Sequence, residues 1–294
     1  MSHIITPWTV AAALLALAPL AGFGFAGDRC VAAVQKWPLA GQLALPAICI
    51  VPYLLIAGPL YMLRLQWLLL YLLLPVGVAA ALALAAKFDP QRRGHWLDFL
   101  VLFTLGLAVD LRWFEAAWPH ALVAVNKVVL LDAGLYGFHA IRQLDGVGFD
   151  LRWRKADWKI GLREFAFYTP IAIGLGLAIG FLHWHGHVNR PGLLPAMWLF
   201  TYLLIALPEE IFFRGWMQNL FERRMGRTAS LIVTAILFGL SHFNKRAVHF
   251  NWRYVLLASI AGIFYGRAWR SERRIAASAI THACVDTVWG ALLR

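Results

Sequence analysis

The sequence predicts an all-α fold, a polytopic transmembrane bundle of about 8–10 membrane helices. Three observations carry that expectation. Apolar residues make up 61% of the 294-residue chain and charged residues only 14%, against roughly 45–50% and 25% in a soluble globular domain. The apolar residues fall in long runs, and eight to ten spans of about 20 residues would use roughly 160–200 positions. Fourteen tryptophans, many near the ends of those runs, fit an aromatic belt at the membrane surfaces. A soluble enzyme, a disordered tail and a secreted disulfide scaffold are excluded. The three cysteines, Cys30, Cys49 and Cys284, are too few and too scattered for a disulfide framework or a structural zinc site.

Taken in order, the first run covers residues 7–27. The preceding residues, Met1 to Pro7, lack the basic region of a signal peptide, so this run reads as a retained span. Further runs at 40–63, 65–86, 97–109 and 120–140 complete the first half. The most polar stretch, 142–164, holds Arg152, Arg154, Lys155, Asp157 and Lys159 beside Trp153 and Trp158. It reads as an interfacial loop or surface helix. Runs at 165–182, 193–217, 229–243, 254–270 and 275–292 follow. In the run 165–182, Gly176 and Gly180 have the spacing of a close helix contact, with ordinary packing as the default. No internal repeat or low-complexity linker is visible. The expected organisation is an N-terminal multi-helix region, 1–164, and a C-terminal membrane-embedded core, 165–294.

Lys and Arg number 27 against 15 Asp and Glu, an excess of 12. The basic residues sit mostly in alternate connections, near Arg29, Lys87, 142–163, 223–227 and 270–274. A positive-inside bias explains this and sets both termini outside the cytoplasm. Lys245, Arg246 and Arg253 spoil a clean split. No zinc finger, RNA-binding signature or aromatic-basic ladder is present. The expected partners are therefore the lipid bilayer and a hydrophobic or membrane-anchored peptide or protein, with no nucleic acid. In a bacterial source the protein would sit in the plasma (inner) membrane.

Ionisable groups inside a span are expensive and are functional candidates by default. The run Leu207-Pro208-Glu209-Glu210-Ile211-Phe212-Phe213-Arg214 holds two adjacent carboxylates and an arginine. Glu210 and Arg214 are four apart, on one helix face, and can pair. Glu209 is rotated about 100° away and remains available for chemistry. Pro208 removes a backbone donor and frees the Leu204 carbonyl, loosening the helix just before the pair. The alternative is an ion pair that only orders packing, which accounts for Glu210 and Arg214 but not for Glu209. Next, Phe238-x-x-x-His242 sets an imidazole one turn after an aromatic residue. Then His282-x-x-x-Asp286 sets an imidazole and a carboxylate on one face, as a clamp, a metal-ligand pair or a simple hydrogen bond.

Measured from the basic loop at 222–227, Glu209 and His242 lie at similar depths, roughly 20 and 22 Å. His282 lies only roughly 12 Å past Arg274 at the same rise, so a tilt or shifted helix start is needed to bring it level.

Glu209-Glu210-x-x-x-Arg214, Phe238-x-x-x-His242 and His282-x-x-x-Asp286, in that order on successive apolar runs, resemble the CPBP family of intramembrane proteases. That family includes type II CAAX prenyl endopeptidases and bacteriocin-processing or immunity (Abi-like) proteins. The resemblance covers about 193–292, and Asp286 stands where many members carry Asn. It implies an intramembrane endopeptidase with catalytic residues Glu209, Glu210, Arg214, His242, His282 and Asp286. In the implied roles, Glu209 activates a water positioned by His242, and His282, oriented by Asp286, donates to the oxyanion. Arg214 holds Glu210.

No His-Glu-x-x-His run is present, and the expected chemistry needs no cofactor. If zinc is used, Glu209, His242 and His282 would be its ligands. The cluster His183, His185 and His187 reads as a solvent-facing connection rather than a metal loop. One competing function is a catalytically silent scaffold or immunity protein. The other is a proton- or ion-coupled transporter, which would show broken helices in two related halves.

Overall fold

The computed structural model describes residues 6–185, 191–245 and 249–293. Among them the chain is helical, with no strand. Ten helical segments follow the ten apolar runs. They are α1 (Pro7–Gln35), α2 (Leu39–Ala57), α3 (Leu65–Phe88), α4 (Trp96–Asp110), α5 (His120–Ile141), α6 (Lys155–Ala178), α7 (Pro191–Met225), α8 (Arg227–Leu240), α9 (Trp252–Glu272) and α10 (Ile275–Leu292). Six of these (α1, α2, α3, α5, α7 and α10) are long and apolar enough to cross a membrane. Fewer meet that standard than the eight to ten expected. α4 and α8 are only 15 and 14 residues long, while α6 and α9 carry charges at their ends. The chain is a multi-pass integral membrane protein.

The helices fall into two compact units, Met1–Asp145 and Gly146–Arg294. In the first, α1 begins at Pro7 behind Thr6, whose side chain accepts from the Thr9 N–H. Proline at the first helical position loses nothing, because that N–H has no intrahelical partner. The polar anchor of this unit is Arg142, whose side chain is fully buried. It donates to Asp98 through Nε and Nη2 at 2.8 and 3.0 Å, and to the Asp89 carboxylate at 2.7 Å. Asp98 also accepts from the His95 N–H at 2.7 Å, so one carboxylate caps α4 and ties the end of α5 to it.

In the second unit the segment before α6 clamps the turn between α9 and α10. Arg274 forms a bidentate pair with buried Asp157 at 2.7 and 2.9 Å and donates to the Arg152 carbonyl at 2.8 Å. The Trp269 indole donates to the Val147 carbonyl, and the Ile275 N–H to the Gly148 carbonyl, each at 2.9 Å. Gly148 has φ +75°, and a Cβ there would stand 1.7 Å from the Arg273 carbonyl oxygen. A side chain is thus disfavoured both by backbone conformation and by a rigid neighbour. Gly148→Ala is expected to destabilise the protein by at least about 1–3 kcal/mol, seen as a lowered unfolding temperature in detergent. An unchanged transition would contradict this packing.

Gly239 serves the helix pair α8/α9, where a Cβ would meet Ser259 Oγ at 1.9 Å and the Val255 carbonyl at 2.5 Å. The close approach matters because it carries the residues on either side of Gly239 against α9. By contrast, Gly176 is filled by Leu182 of its own turn, and Gly180, with φ +65°, ends α6 with no atom within 4 Å of a Cβ. That pair makes no helix–helix contact of the kind its spacing allowed.

α7 carries two π-helical stretches. Its hydrogen bonding widens to a π-helical pattern over Tyr202–Ala206, returns to α over Leu207–Glu210, and widens again over Ile211–Gln218. Pro208, which has no N–H to donate, sits in the short α-helical turn between the two. Such π segments concentrate at functional sites, and Glu209 and Glu210 lie between these two.

Candidate functional site

The site is assembled within the second unit from α7, α8, α9 and α10. Glu210 is fully buried, and Arg214 Nε donates to its Oε2 at 3.0 Å, as the four-residue spacing requires. The Arg214 guanidinium, also fully buried, lies 5.1 Å from the Phe238 ring and 5.9 Å from those of Phe213 and Tyr265. Ring faces are attractive to a desolvated cation. They matter here because both terminal nitrogens of Arg214 lack hydrogen-bond partners among the described residues.

Glu210 takes two further donors, both from α10. Ser278 donates its hydroxyl to Oε2, and His282 Nδ1 lies 2.8 Å from Oε1. A carboxylate held by three donors only accepts, so His282 carries its proton on Nδ1. The His282 ring lies flat on Tyr265 (centroids 4.6 Å, 17° between planes) and edge-on to Phe238 at 5.6 Å. Its other nitrogen, Nε2, faces Asp286 Oδ2 at 3.6 Å and Glu209 Oε2 at 3.9 Å. Three carboxylates from two helices therefore surround one imidazole.

Glu210 and Asp286 flank the ring from opposite edges, at 2.8 and 3.6 Å. Glu210 makes the shorter contact and orients the ring through Nδ1. Asp286 stands at the opposite edge, one turn along the same helix. His282 also meets Glu209, despite the depth difference counted from α-helical rise. The eight residues Ile211–Gln218 are π-helical.

His242 lies just past the end of α8. Its Nδ1 is 2.8 Å from the Phe238 carbonyl and 3.1 Å from Ser241 Oγ. A carbonyl can only accept, so Nδ1 donates and the neutral ring keeps its lone pair on Nε2. The ring packs on Tyr254 (4.7 Å) and Phe238 (5.0 Å). Phe238, the aromatic residue of the second motif, thus touches both imidazoles and the guanidinium.

His242, His282 and Asp286 face a cavity of about 70 Å³, whose other walls include Phe165, Tyr168, Tyr254 and Trp289. One water needs roughly 10–15 Å³ on this measure, so several fit. An apolar chamber with a few convergent polar groups is the common form of a binding site. Asp286 is the one acidic residue among the described walls. The site thus brings Glu209, Glu210, Arg214, His282 and Asp286 into one cluster, with His242 on the same cavity.

Three contributors escaped the sequence reading: Ser278, Tyr265 and Tyr254. Ser278 carried a signal, since it stands four residues before His282 and so on the same face of α10. Tyr265 and Tyr254 lie on α9, where no motif pointed. His183 and His185 are exposed, and their main-chain N–H groups donate to the Leu293 and Leu292 carbonyls at 3.2 and 3.1 Å. His187 lies outside the described residues.

The candidate zinc ligands were compared with this geometry. Nδ1 of each imidazole is committed, to Phe238 and to Glu210, leaving one nitrogen apiece. Among the described residues no three His, Cys, Asp or Glu side chains are grouped to hold a metal ion. An imidazole anchored through Nδ1 keeps Nε2 for a water or a metal ion alike.

Residues 191–288 match the family model described as type II CAAX prenyl endopeptidase Rce1-like. The match covers one third of the chain and contains all three motifs, in agreement with the resemblance that they carry. It supports endopeptidase activity of the CAAX-protease type. No curated protein and no solved structure matches the chain significantly.

Proposed function

We propose that this chain, whose residues 191–288 form an Rce1-like region, is an intramembrane endopeptidase that hydrolyses its substrate with a glutamate-activated water. The observation that carries the proposal is the convergence of Glu209, Glu210 and Asp286 on His282, at the wall of an apolar cavity shared with His242. A structural ion pair accounts for Glu210 and Arg214 alone. It gives no reason for a second carboxylate and a second imidazole beside the same cavity.

In this mechanism a water donates one hydrogen bond to His242 Nε2 and its other proton to Glu209 as its oxygen attacks the scissile carbonyl carbon. His282 is doubly protonated, giving Nδ1–H to Glu210 and Nε2–H to the oxyanion that forms. Donors aimed at a developing charge act most strongly where bulk water is excluded. As the tetrahedral intermediate collapses, the C–N bond breaks and Glu209 returns its proton to the departing amine. Arg214 holds Glu210, which holds His282.

The substrate class that fits is a membrane-anchored or hydrophobic peptide or protein, of which a prenylated CAAX tail is one. The bilayer is the second partner, and in a bacterium it would be the plasma membrane. The test is reconstitution of the purified protein in liposomes with a farnesylated, internally quenched CAAX peptide. Glu209-dependent cleavage supports the proposal, and its absence contradicts it. Cleavage is expected to survive zinc chelators such as 1,10-phenanthroline. Loss of activity, restored by added zinc, would instead assign Glu209, His242 and His282 as ligands.

A further inference from the structure

Resting on that endopeptidase reading, we infer that Ser278 is a positioning residue for the reaction, acting through Glu210 on His282. Ser278 is fully buried and stands where three helices meet. From α10 its hydroxyl reaches Glu210 Oε2 on α7, and it lies 2.8 Å from the Tyr265 carbonyl oxygen on α9. Tyr265 is itself the residue whose ring His282 lies on. One hydroxyl thus touches both the carboxylate that holds the imidazole and the helix turn that supports its face.

The geometry of Glu210 explains why this contact matters. A carboxylate anchored through one oxygen by one donor can rotate about its terminal bond. Arg214 and Ser278 approach the same oxygen, Oε2, from different helices. With Oε2 fixed from two sides, Oε1 is left facing His282 Nδ1, and the ring plane is set. Ser278 is fully buried and its hydroxyl is taken up by Glu210 and the Tyr265 carbonyl, so it does not touch the substrate. Its loss is expected to slow the chemical step and leave binding unchanged, because an interaction that only orients the oxyanion donor acts in the transition state.

The test uses the full-length protein in liposomes with the farnesylated, quenched CAAX peptide. Ser278→Ala is expected to lower kcat by about 10- to 100-fold, the range for a lost hydrogen bond to a charged group. KM should stay close to that of the wild type, and the unfolding temperature should fall by only a few degrees, the cost of one buried hydrogen bond. Ser278→Thr, which keeps the hydroxyl, is expected to restore most of the rate. Full kcat in Ser278→Ala overturns the inference, as does a rise in KM at unchanged kcat. Equal slowing in both variants also overturns it, since packing rather than the hydroxyl would then be responsible. Should the alanine variant fail to fold, Ser278→Cys, which keeps an atom there but weakens the donor, replaces it, and full kcat there overturns the inference. A wild type that shows no Glu209-dependent cleavage contradicts the endopeptidase reading and this inference together. A cleaving wild type with an equally fast Ser278→Ala contradicts this inference alone.

Discussion

Glu209→Gln yields a folded membrane protein whose cleavage rate falls by about 10²–10⁴-fold, the span expected when a general base is removed. The substitution keeps the size of the side chain and removes only its ability to take a proton. Glu209 is the carboxylate of the cluster that does not anchor the Arg214 pair, so its change leaves the Glu210–Arg214–Ser278–His282 connections intact. The protein's unfolding temperature should therefore stay near that of the wild type while activity disappears. His242→Ala should have the same signature, because the Nε2 lone pair that orients the water is lost. Cleavage at the wild-type rate in both folded variants would rule out this mechanism.

Arg214→Ala should produce the opposite pattern, a loss of fold as well as of activity. Glu210 is buried without solvent access, and Arg214 is its only full positive charge on the same helix face. Removing one member of a buried pair strands the other and costs about 3–5 kcal/mol. The substitution also empties the space between the Phe213, Phe238 and Tyr265 rings. Arg214→Lys is expected to be only a partial replacement, since an ammonium lacks the planar fork that reaches Glu210 while facing the rings. The measurement is thermal unfolding in detergent alongside the amount of folded protein recovered from membranes. Wild-type stability in Arg214→Ala would show that the pair does not anchor the site.

Much of this arrangement was legible in the sequence because it depends on spacing along one helix. The ten apolar runs became ten helices because a helix satisfies its own backbone hydrogen bonds in an apolar medium. Glu210 and Arg214 pair because a four-residue step returns to the same face. Pro208 marked the irregular stretch of α7, although the extent of the π-helical turns on either side was not foreseeable from a single missing N–H.

What was not legible depends on contacts between helices. Asp286 was the natural partner for His282 by proximity in sequence, yet Glu210, 72 residues away, makes the closer contact. Ser278 reads in sequence as one small residue in Ala276-Ala277-Ser278-Ala279. Its role exists only because α7 and α9 pack on either side of it. The depth count left His282 out of level because spacing along the chain does not show how a helix tilts or where it starts. Four helices fall outside the length and composition of a full span for a related reason: α4 and α8 are short, and α6 and α9 carry charges at their ends.

The most direct measurement of the central claim compares peptide termini in host membranes that carry equal amounts of the wild-type protein or the Glu209→Gln variant. The account predicts a set of new termini that appear with the wild type, vanish with the variant, and map within or beside hydrophobic or lipid-anchored segments. Identical termini in the two membranes, with both proteins folded and the substrate expressed, would contradict it and favour a scaffold that binds its partner without cutting it.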